Sequence, residues 1–161
     1  MAGKETSGVE YANTEMFKHA NYIITPTEKN TERAIHFSYD LAYTLHFNHI
    51  SILSCEEHDH MIGFLSQLTH VIAVSLMNTH DNEHLVEYTG DSFRDLTRIA
   101  RINDLMWSEL FVANKDVLLE QMNLFMKKFN ELRTMLETED IEGMRAMMRH
   151  STERRALFDK K

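Results

Sequence analysis

The stretch "HDHMIGFLSQLTH", residues 58–70, places three histidines within a helical pattern of apolar residues. The pattern extends over a predicted helix at 56–78, whose apolar face consists of Met61, Phe64, Leu65, Leu68, Ile72 and Leu76. A second stripe combines small residues with one histidine: Gly63, Ser66, His70 and Ala73. A neighbouring helix or a ligand can approach closely along this stripe. Spacing alone favours a hydrogen-bonded core histidine at position 70, because a buried polar group needs only a partner.

From Glu56 onward, every periodic segment has helical spacing, and no proline follows Pro26 to interrupt one. A short helix is predicted for "SFRDLTRIAR", with an N-cap within residues 90–92. Another is predicted for "NDLMWSELFVA", which starts at Asn103 or Asp104. The chain after its first third is therefore predicted to be all α.

A longer helix is predicted over residues 115–137, ended by a break at 138–140. Its apolar residues alternate at spacings of four and three, which is typical of a helix–helix seam: Leu118, Met122, Phe125, Phe129, Leu132 and Leu136. The last helix adds Ile141, Met144 and Met148, and the chain has 11 methionines, which suit an adaptable, partly intermolecular core. A homodimer is the predicted way to bury these faces.

The first third has a different pattern. Residues 1–20 are predicted to be loop with one short helical turn. "NYIITPT" (21–27) and "HISIL" (49–53) are predicted strands, and the helix between them carries Ala34, Phe37, Leu41 and Leu45. A parallel β-α-β unit needs both faces covered and further strands beside it. The segment is therefore interpreted as the end of a larger α/β sheet.

Composition excludes several classes of protein. The chain has 161 residues and a net charge of −8, which argues against a nucleic-acid binder, because phosphates require a cationic surface. The single Cys55 allows no internal disulfide and favours a reducing cytoplasm. No uninterrupted apolar run reaches the length of about 18 residues that a membrane span needs, so no membrane association is expected.

Three arginines at i, i+4 and i+7, namely Arg94, Arg98 and Arg101, are predicted to share one helix face. A solvated face paired with acidic neighbours (Asp91, Asp95 and Asp104) is the favoured interpretation from spacing alone. The alternative is an anion site, and a dicarboxylate would suit it because arginine binds carboxylates bidentately.

Other chemistry is weakly supported. The histidine pairs 46/49 and 80/84 have spacings that suit two metal ligands on one helix face, but no third ligand is indicated, and no metal is expected. Ser66 lies one turn before His70, yet no nucleophile elbow surrounds it. The five glycines stand at 3, 8, 63, 90 and 143, so no Gly-x-Gly-x-x-Gly phosphate-binding motif exists.

Four motifs, in this order, carry a resemblance to a known family: "MAGKETSGVEY", "NYIITPTE", "EEHDHMIGFLSQLTH" and "GDSFRDLTRIARINDLMWSELFVANKDVLL". The chain resembles prephenate dehydrogenase of the tyrosine pathway from Met1 to the last helix. The resemblance implies an N-terminal Rossmann domain that binds NAD or NADP, and a C-terminal helical domain that forms an intertwined dimer. It also implies oxidative decarboxylation of prephenate to 4-hydroxyphenylpyruvate, with hydride passing to the nicotinamide.

The implied fold is mainly α, preceded by a β-α-β remnant of a Rossmann-like sheet. Residues 1–54 are expected to be the end of the nucleotide-binding domain, and residues 55–161 the helical dimerisation and substrate-binding domain. The family's Gly-rich motif and its catalytic His-Pro histidine would precede Met1. The chain is therefore expected to be a C-terminal fragment, inactive alone and without bound cofactor. An engineered shortening and a gene prediction that starts at an internal Met would both explain this.

The resemblance also implies site residues. His70 matches the last histidine of the family's Ser-His-Leu-Pro-His, which contacts the pyruvyl side of prephenate. Arg98 matches the arginine of Thr-Arg-Ile-Ala, which grips the ring carboxylate, and Arg94 joins it in the predicted substrate-binding set. Trp107 matches the tryptophan of Met-Trp near the subunit boundary and completes the predicted substrate-binding set. Glu5 matches a glutamate that helps gate the pocket and supports catalysis.

Two departures stand inside the His70 motif. The family's first histidine is Gln67 here, and its proline is Thr69, which keeps the N–H that proline lacks and predicts a less kinked helix. Arogenate dehydrogenase uses the same scaffold on a substrate with an amino group in place of the keto oxygen, and it remains an alternative. A non-catalytic helical dimer or an aromatic-acid-binding module is the alternative from another class.

Overall fold

The computed structural model of the chain describes residues 8–18, 20–81 and 83–159. Glu5, predicted to support catalysis, lies outside the described residues. The chain divides into one compact unit that ends at Leu118 and a second unit, Leu119–Lys161. Each unit is described by itself. The strands and the residues of the predicted site belong to the first.

The first unit begins with 3-10 turns at Val9–Tyr11 and Thr14–Phe17, one more turn than the sequence predicts. Strand β1 (Asn21–Ile24), helix α1 (Glu32–Thr44) and strand β2 (His49–Ile52) follow. The two strands pair in parallel. The predicted β-α-β unit is confirmed.

Helix α1 begins at Thr31, whose hydroxyl accepts a hydrogen bond from the amide of Ala34 at 3.3 Å. It packs against both strands, with Ala42 and Ile24 buried between them. Other apolar side chains of this unit are largely exposed: Phe37, Tyr43 and Ile52. Because a parallel pair is normally covered on both faces, this exposed apolar surface is one that further structure is expected to cover.

The helix predicted over 56–78 is not uniform. It consists of α2 (Cys55–Ile62), a π-helical turn (Gly63–Gln67) and α3 (Leu68–Met77). Within the π turn, an amide bonds to the carbonyl five residues back instead of four. The added residue widens the helix at this point and rotates the side chains that follow.

The π turn changes which residues are buried. Phe64 and Leu65, predicted to lie on the apolar face, are 52% and 50% exposed. Ser66 and Gln67 are buried instead, whereas Leu68 is buried as the predicted face requires. The predicted single apolar face is therefore wrong in its middle, because the sequence periodicity assumed a regular 3.6-residue turn.

After a 3-10 helix at Glu83–Tyr88, the helical part of the first unit continues with α4 (Asp91–Thr97), a 3-10 turn (Arg98–Ala100) and α5 (Asp104–Ala113). Asn103 caps α5, since its side chain accepts a hydrogen bond from the amide of Met106 at 3.1 Å. The prediction of a cap at this point is confirmed. The 3-10 turn Arg98–Ala100 packs against α3.

Helix α6 (Lys115–Glu137) has the predicted bounds, and α7 (Ile141–Ala156) begins after the predicted break at 138–140. Asp140 separates them, and its carboxylate caps α7 by accepting from the amide of Gly143 at 2.9 Å. Leu118 is buried, but later members of the predicted seam are exposed: Phe125, Phe129, Leu132 and Leu136. The seam of α6 thus presents an apolar surface in the single chain.

The stretch Cys55–Met77 is long and apolar enough to cross a bilayer by length and composition, with a mean hydropathy of 1.4, among the described residues. The sequence prediction that no such segment exists is wrong by this measure. Core helices of soluble proteins have the same length and composition. The buried, hydrogen-bonded amide of Gln67 within it is the kind of group that belongs in a protein core.

The start of α2 generates a prediction. Ser54 and Glu57 form a reciprocal capping box: the Ser54 hydroxyl accepts from the Glu57 amide at 3.1 Å, and the Glu57 carboxylate accepts from the Ser54 amide at 2.8 Å. Replacing Ser54 by alanine (Ser54→Ala) removes half of the box. We expect it to lower the free energy of unfolding by about 1 kcal/mol. Urea denaturation at neutral pH measures this loss.

Ser92→Ala is the matched control, because Ser92 lies at the exposed start of α4 and its side chain makes no hydrogen bond within the described residues. Hydrogen bonds from the backbone amide of Ser54, and then from its hydroxyl, lower the pKa of Glu57. A lowered carboxyl pKa stabilises the fold above the ordinary glutamate range, and the contribution is lost as pH falls through the lowered value. The difference in stability between wild type and the Ser54→Ala variant should shrink in acid; an unchanged difference would contradict the box.

Candidate functional site

The imidazole of His70 is held in one orientation. Its Nδ1 lies 2.8 Å from the carbonyl oxygen of Ser66, one turn earlier. Since a carbonyl only accepts, Nδ1 must carry the proton and donate. Nε2 has no hydrogen-bond partner among the described residues. The half-buried ring therefore presents Nε2 as an acceptor when neutral and as a donor when protonated.

The π turn supplies the carbonyl that orients His70. The Ser66 carbonyl also accepts from the Thr69 hydroxyl at 2.7 Å, so two side chains converge on one backbone oxygen. A π turn leaves helix carbonyls displaced from their usual partners, which makes such an oxygen available to side chains. Helix α3 runs through Thr69 without a break, since this residue keeps the backbone N–H that a proline would lack.

Trp107 lies flat against the imidazole of His70. The two ring centroids are 3.7 Å apart, and the ring planes differ by 28°. The indole also contacts Phe111, one turn later on α5, with centroids 5.6 Å apart. Asn103 fixes the start of this helix, since its carbonyl accepts from the Trp107 amide at 3.0 Å. The structure thus brings together two predicted site residues that are far apart in sequence.

A second contact links the same two segments, and the sequence analysis did not assign it. The Gln67 side-chain amide donates to the carbonyl of Leu110 at 3.0 Å. Its carbonyl accepts from the side chain of Asn114 at 2.8 Å, which also donates to the carbonyl of Asp59 at 3.0 Å. Gln67 is only 4% exposed. A glutamine inside an apolar helix signals such a network, but its partners cannot be read from spacing.

The three arginines do not share a helix face, so that prediction is wrong. Helix α4 ends at Thr97, Arg98 begins a 3-10 turn, and Arg101 is extended. The physical reason is burial: Ile99 in the turn is partly buried where the turn packs against α3. Winding α4 onward as a regular helix would change which residues meet α3.

Arg94 pairs with Asp91 at 3.5 Å, and both side chains are largely exposed. Such a pair contributes little to stability. Arg98 is exposed in the single chain, but its turn packs against the helix that carries His70. Helix α4, which carries Arg94, packs against α3 as well, and Arg101 lines a cavity with Val74 and Met77 of that helix.

The histidine pairs are not arranged as predicted. His46 follows the end of α1 with a positive φ of 60°, and His49 begins a strand, so they share no helix face. His84 contacts the carboxylate of Glu87 at 3.0 Å, and both residues lie in the 3-10 helix Glu83–Tyr88, which does not include His80. Among the described residues, no group of three potential metal ligands converges.

The described connection from β1 to α1 does not fit the pyrophosphate of a dinucleotide. Such a site requires a glycine-rich turn between a strand and a helix N-terminus. The connection from β1 to α1, residues 25–31, contains no glycine, and the Thr31 side chain already caps α1.

Comparisons with known proteins agree with this fold. The family model described as "Prephenate dehydrogenase, dimerization domain" matches residues 54–150. A prephenate dehydrogenase of Bacillus subtilis is 33% identical over 149 residues, which are 89% of this chain and 40% of that protein.

Two solved structures have the same fold. Prephenate dehydrogenase from A. aeolicus in complex with hydroxyphenyl propionate and NAD+ superposes with a TM-score of 0.88 and 28% identity, covering 99% of this chain and 57% of that one. Synechocystis arogenate dehydrogenase, 18% identical with a TM-score of 0.82, covers 98% of this chain and 59% of that one, and it shows the fold alone.

The fold and the family match together define the class of protein: a helical dimerization domain preceded by a short parallel sheet. The chain belongs to the prephenate dehydrogenase family, and the relatives that it matches are oxidoreductases. It spans less than two thirds of the length of these relatives.

Proposed function

We propose that the chain is the substrate-holding and dimerising part of a prephenate dehydrogenase that converts prephenate to 4-hydroxyphenylpyruvate with NAD or NADP. The observation that carries the proposal is the stack of His70 on Trp107. The family resemblance assigned both side chains to the substrate pocket, although they lie on separate helices. A relative with the same fold was solved with hydroxyphenyl propionate, an aromatic carboxylate.

Each residue has a chemical role in this proposal. Nε2 of His70 bonds to the pyruvyl side of prephenate, while Trp107 keeps the imidazole from rotating. Arg98 pairs with the ring carboxylate, with Arg94 adding positive charge nearby. Local cations are needed because the chain has a net charge of −8, which would otherwise repel a dicarboxylate. Glu5, outside the described residues, is proposed to gate the pocket.

The proposal divides the chain into residues 1–54, the end of a nucleotide-binding domain, and residues 55–161, the helical domain. The protein is proposed to act in the cytoplasm as a homodimer, without nucleic acid or membrane as partner. The cofactor is proposed to bind a nucleotide-binding portion like that of the relatives, because residues 25–31 offer no glycine-rich turn.

Arogenate dehydrogenase is the second candidate, since a solved arogenate dehydrogenase has this fold. The two substrates differ at the group that faces His70: a keto oxygen accepts a hydrogen bond, whereas an ammonium group donates. Parallel titrations with prephenate and arogenate distinguish the candidates. A chain that binds neither compound, nor hydroxyphenyl propionate, would instead favour a non-catalytic helical dimer.

The first functional prediction concerns the chain alone. We expect no saturable binding of NAD or NADP and no oxidation of prephenate, since the strand-to-helix turn lacks the glycines that let a backbone approach pyrophosphate. Calorimetry with each cofactor, and absorbance of the reduced nicotinamide with prephenate present, measure both. Turnover above a heat-inactivated control would contradict this prediction.

The second prediction concerns assembly. The exposed seam of α6 should make the chain a dimer at micromolar concentration, and Phe129→Asp should shift it toward monomer, because a charge would be buried in an apolar interface. Asn123→Asp is the control, since it adds the same charge at an exposed polar position of α6 outside the seam. Sedimentation equilibrium measures the mass. A well-folded wild-type monomer would refute the proposed assembly.

The third prediction separates Arg98 from its neighbour. Arg98→Ala should weaken binding of prephenate by about 1.5–3 kcal/mol, the range for a hydrogen bond to a charged group. Arg101→Ala is the matched control and should change affinity by less than about twofold, as for a surface charge. Calorimetry gives both constants. Equal losses at the two positions would indicate a diffuse cationic surface in place of a specific carboxylate site.

A further inference from the structure

We infer that Gln67 and Asn114 are positioning residues that hold His70 against Trp107. We call the hydrogen bonds from Gln67 to Leu110, and from Asn114 to Gln67 and Asp59, the amide clamp. The clamp is inferred from geometry within the first unit. Its consequence for ligand binding rests on the proposed function of His70.

The clamp lies one helical turn from the stack on both sides. Gln67 precedes His70 by three residues, and Leu110 follows Trp107 by three. Gln67 meets Leu110, and three residues later His70 meets Trp107. Residue numbers thus increase along one helix and decrease along the other, so the two helices run antiparallel at this contact. The clamp and the stack are successive cross-links between the same two helices. A shift at the clamp therefore moves the stack.

Asn114 anchors the clamp at a rigid point. It lies between α5 and α6, its amide donates to the carbonyl of Leu110 at 3.3 Å, and its carbonyl accepts from Leu118 at 3.0 Å. Its backbone hydrogen bonds thus belong to both the last turn of α5 and the first turn of α6. Its side chain reaches the carbonyl of Asp59 in α2 and the side chain of Gln67. Few other positions could join α2, the π turn and the α5–α6 junction.

Burial makes the clamp sensitive to substitution. A carboxamide both donates and accepts, and Gln67 uses each function once. An apolar residue at position 67 would leave the Asn114 amide without one acceptor in a partly buried site, which costs free energy unless the helices move. Site geometry must hold within about half an ångström to stay productive. Loss of the clamp should therefore loosen the stack before it unfolds the chain.

The stack has a direct spectroscopic signature. Trp107 is the single tryptophan of the chain. Its ring current displaces the imidazole proton resonances of a histidine stacked at 3.7 Å upfield. In the histidine-labelled chain, the displaced resonance is assigned to His70 by its loss in His70→Gln, and this displacement measures the stack without any ligand.

The test compares Gln67→Leu and Asn114→Ala with wild type. We expect the upfield displacement of the His70 resonance to fall at least about twofold in both variants, because side chains lose their position when their supporting contacts are removed. Ile24→Ala is the control: it destabilises a buried position of the sheet, away from the clamp, and should leave the displacement unchanged. If Gln67→Leu does not fold, as judged by circular dichroism, Asn114→Ala decides the outcome. A folded clamp variant with the full wild-type displacement would overturn the inference.

The second measurement addresses function. With hydroxyphenyl propionate as the probe, Gln67→Leu should bind about tenfold more weakly than wild type, since a misplaced binding group loses much of its interaction. Equal affinity would refute a positioning role for the clamp. If the wild-type chain does not bind the probe at all, the proposed substrate pocket fails, whereas the resonance displacement still decides whether the clamp sets the stack.

Discussion

The hydrogen bonds of the buried Gln67 side chain constrain the whole helical part of the first unit. An amide that is 4% exposed must bond through both its oxygen and its nitrogen, and its partners stand on the α5 helix and at the α5–α6 junction. Once these bonds form, they fix the register of α3 against α5, that is, how far each helix is shifted along the other. The contact of His70 with Trp107 then follows one turn further along.

The π turn is the second feature that shapes the site. It buries Ser66 and Gln67 and exposes Phe64 and Leu65, which a regular helix would have placed on the apolar face. It also supplies the carbonyl that fixes the Nδ1 proton of His70. The same local distortion thus places the clamp and orients the imidazole. Widened turns of this kind are frequent at functional sites.

The apolar surfaces of the chain divide by location. In the first unit, α1 leaves Phe37 and Tyr43 exposed and β2 leaves Ile52 exposed, as a parallel pair does when its faces are not fully covered. In the second unit, the exposed surface is the regular seam of α6. Family membership gives these surfaces an interpretation, since the matching model describes a dimerization domain. Thr69 shares the Ser66 carbonyl with His70, and the buried Gln67 bonds to α5 one turn earlier.

The sequence by itself determined the β-α-β unit, the bounds of α6 and a cap at Asn103 or Asp104, because hydrophobic periodicity and capping are local properties. The motif around His70 also identified the family. Sequence spacing failed where packing overrides periodicity: at the π turn, and at Arg98, where burial of Ile99 against α3 ends the helix that would have aligned three arginines. Only the tertiary structure decided that His70 meets Trp107 and that Gln67 meets Asn114. These contacts join residues about forty positions apart, and no local pattern contains the register of two helices.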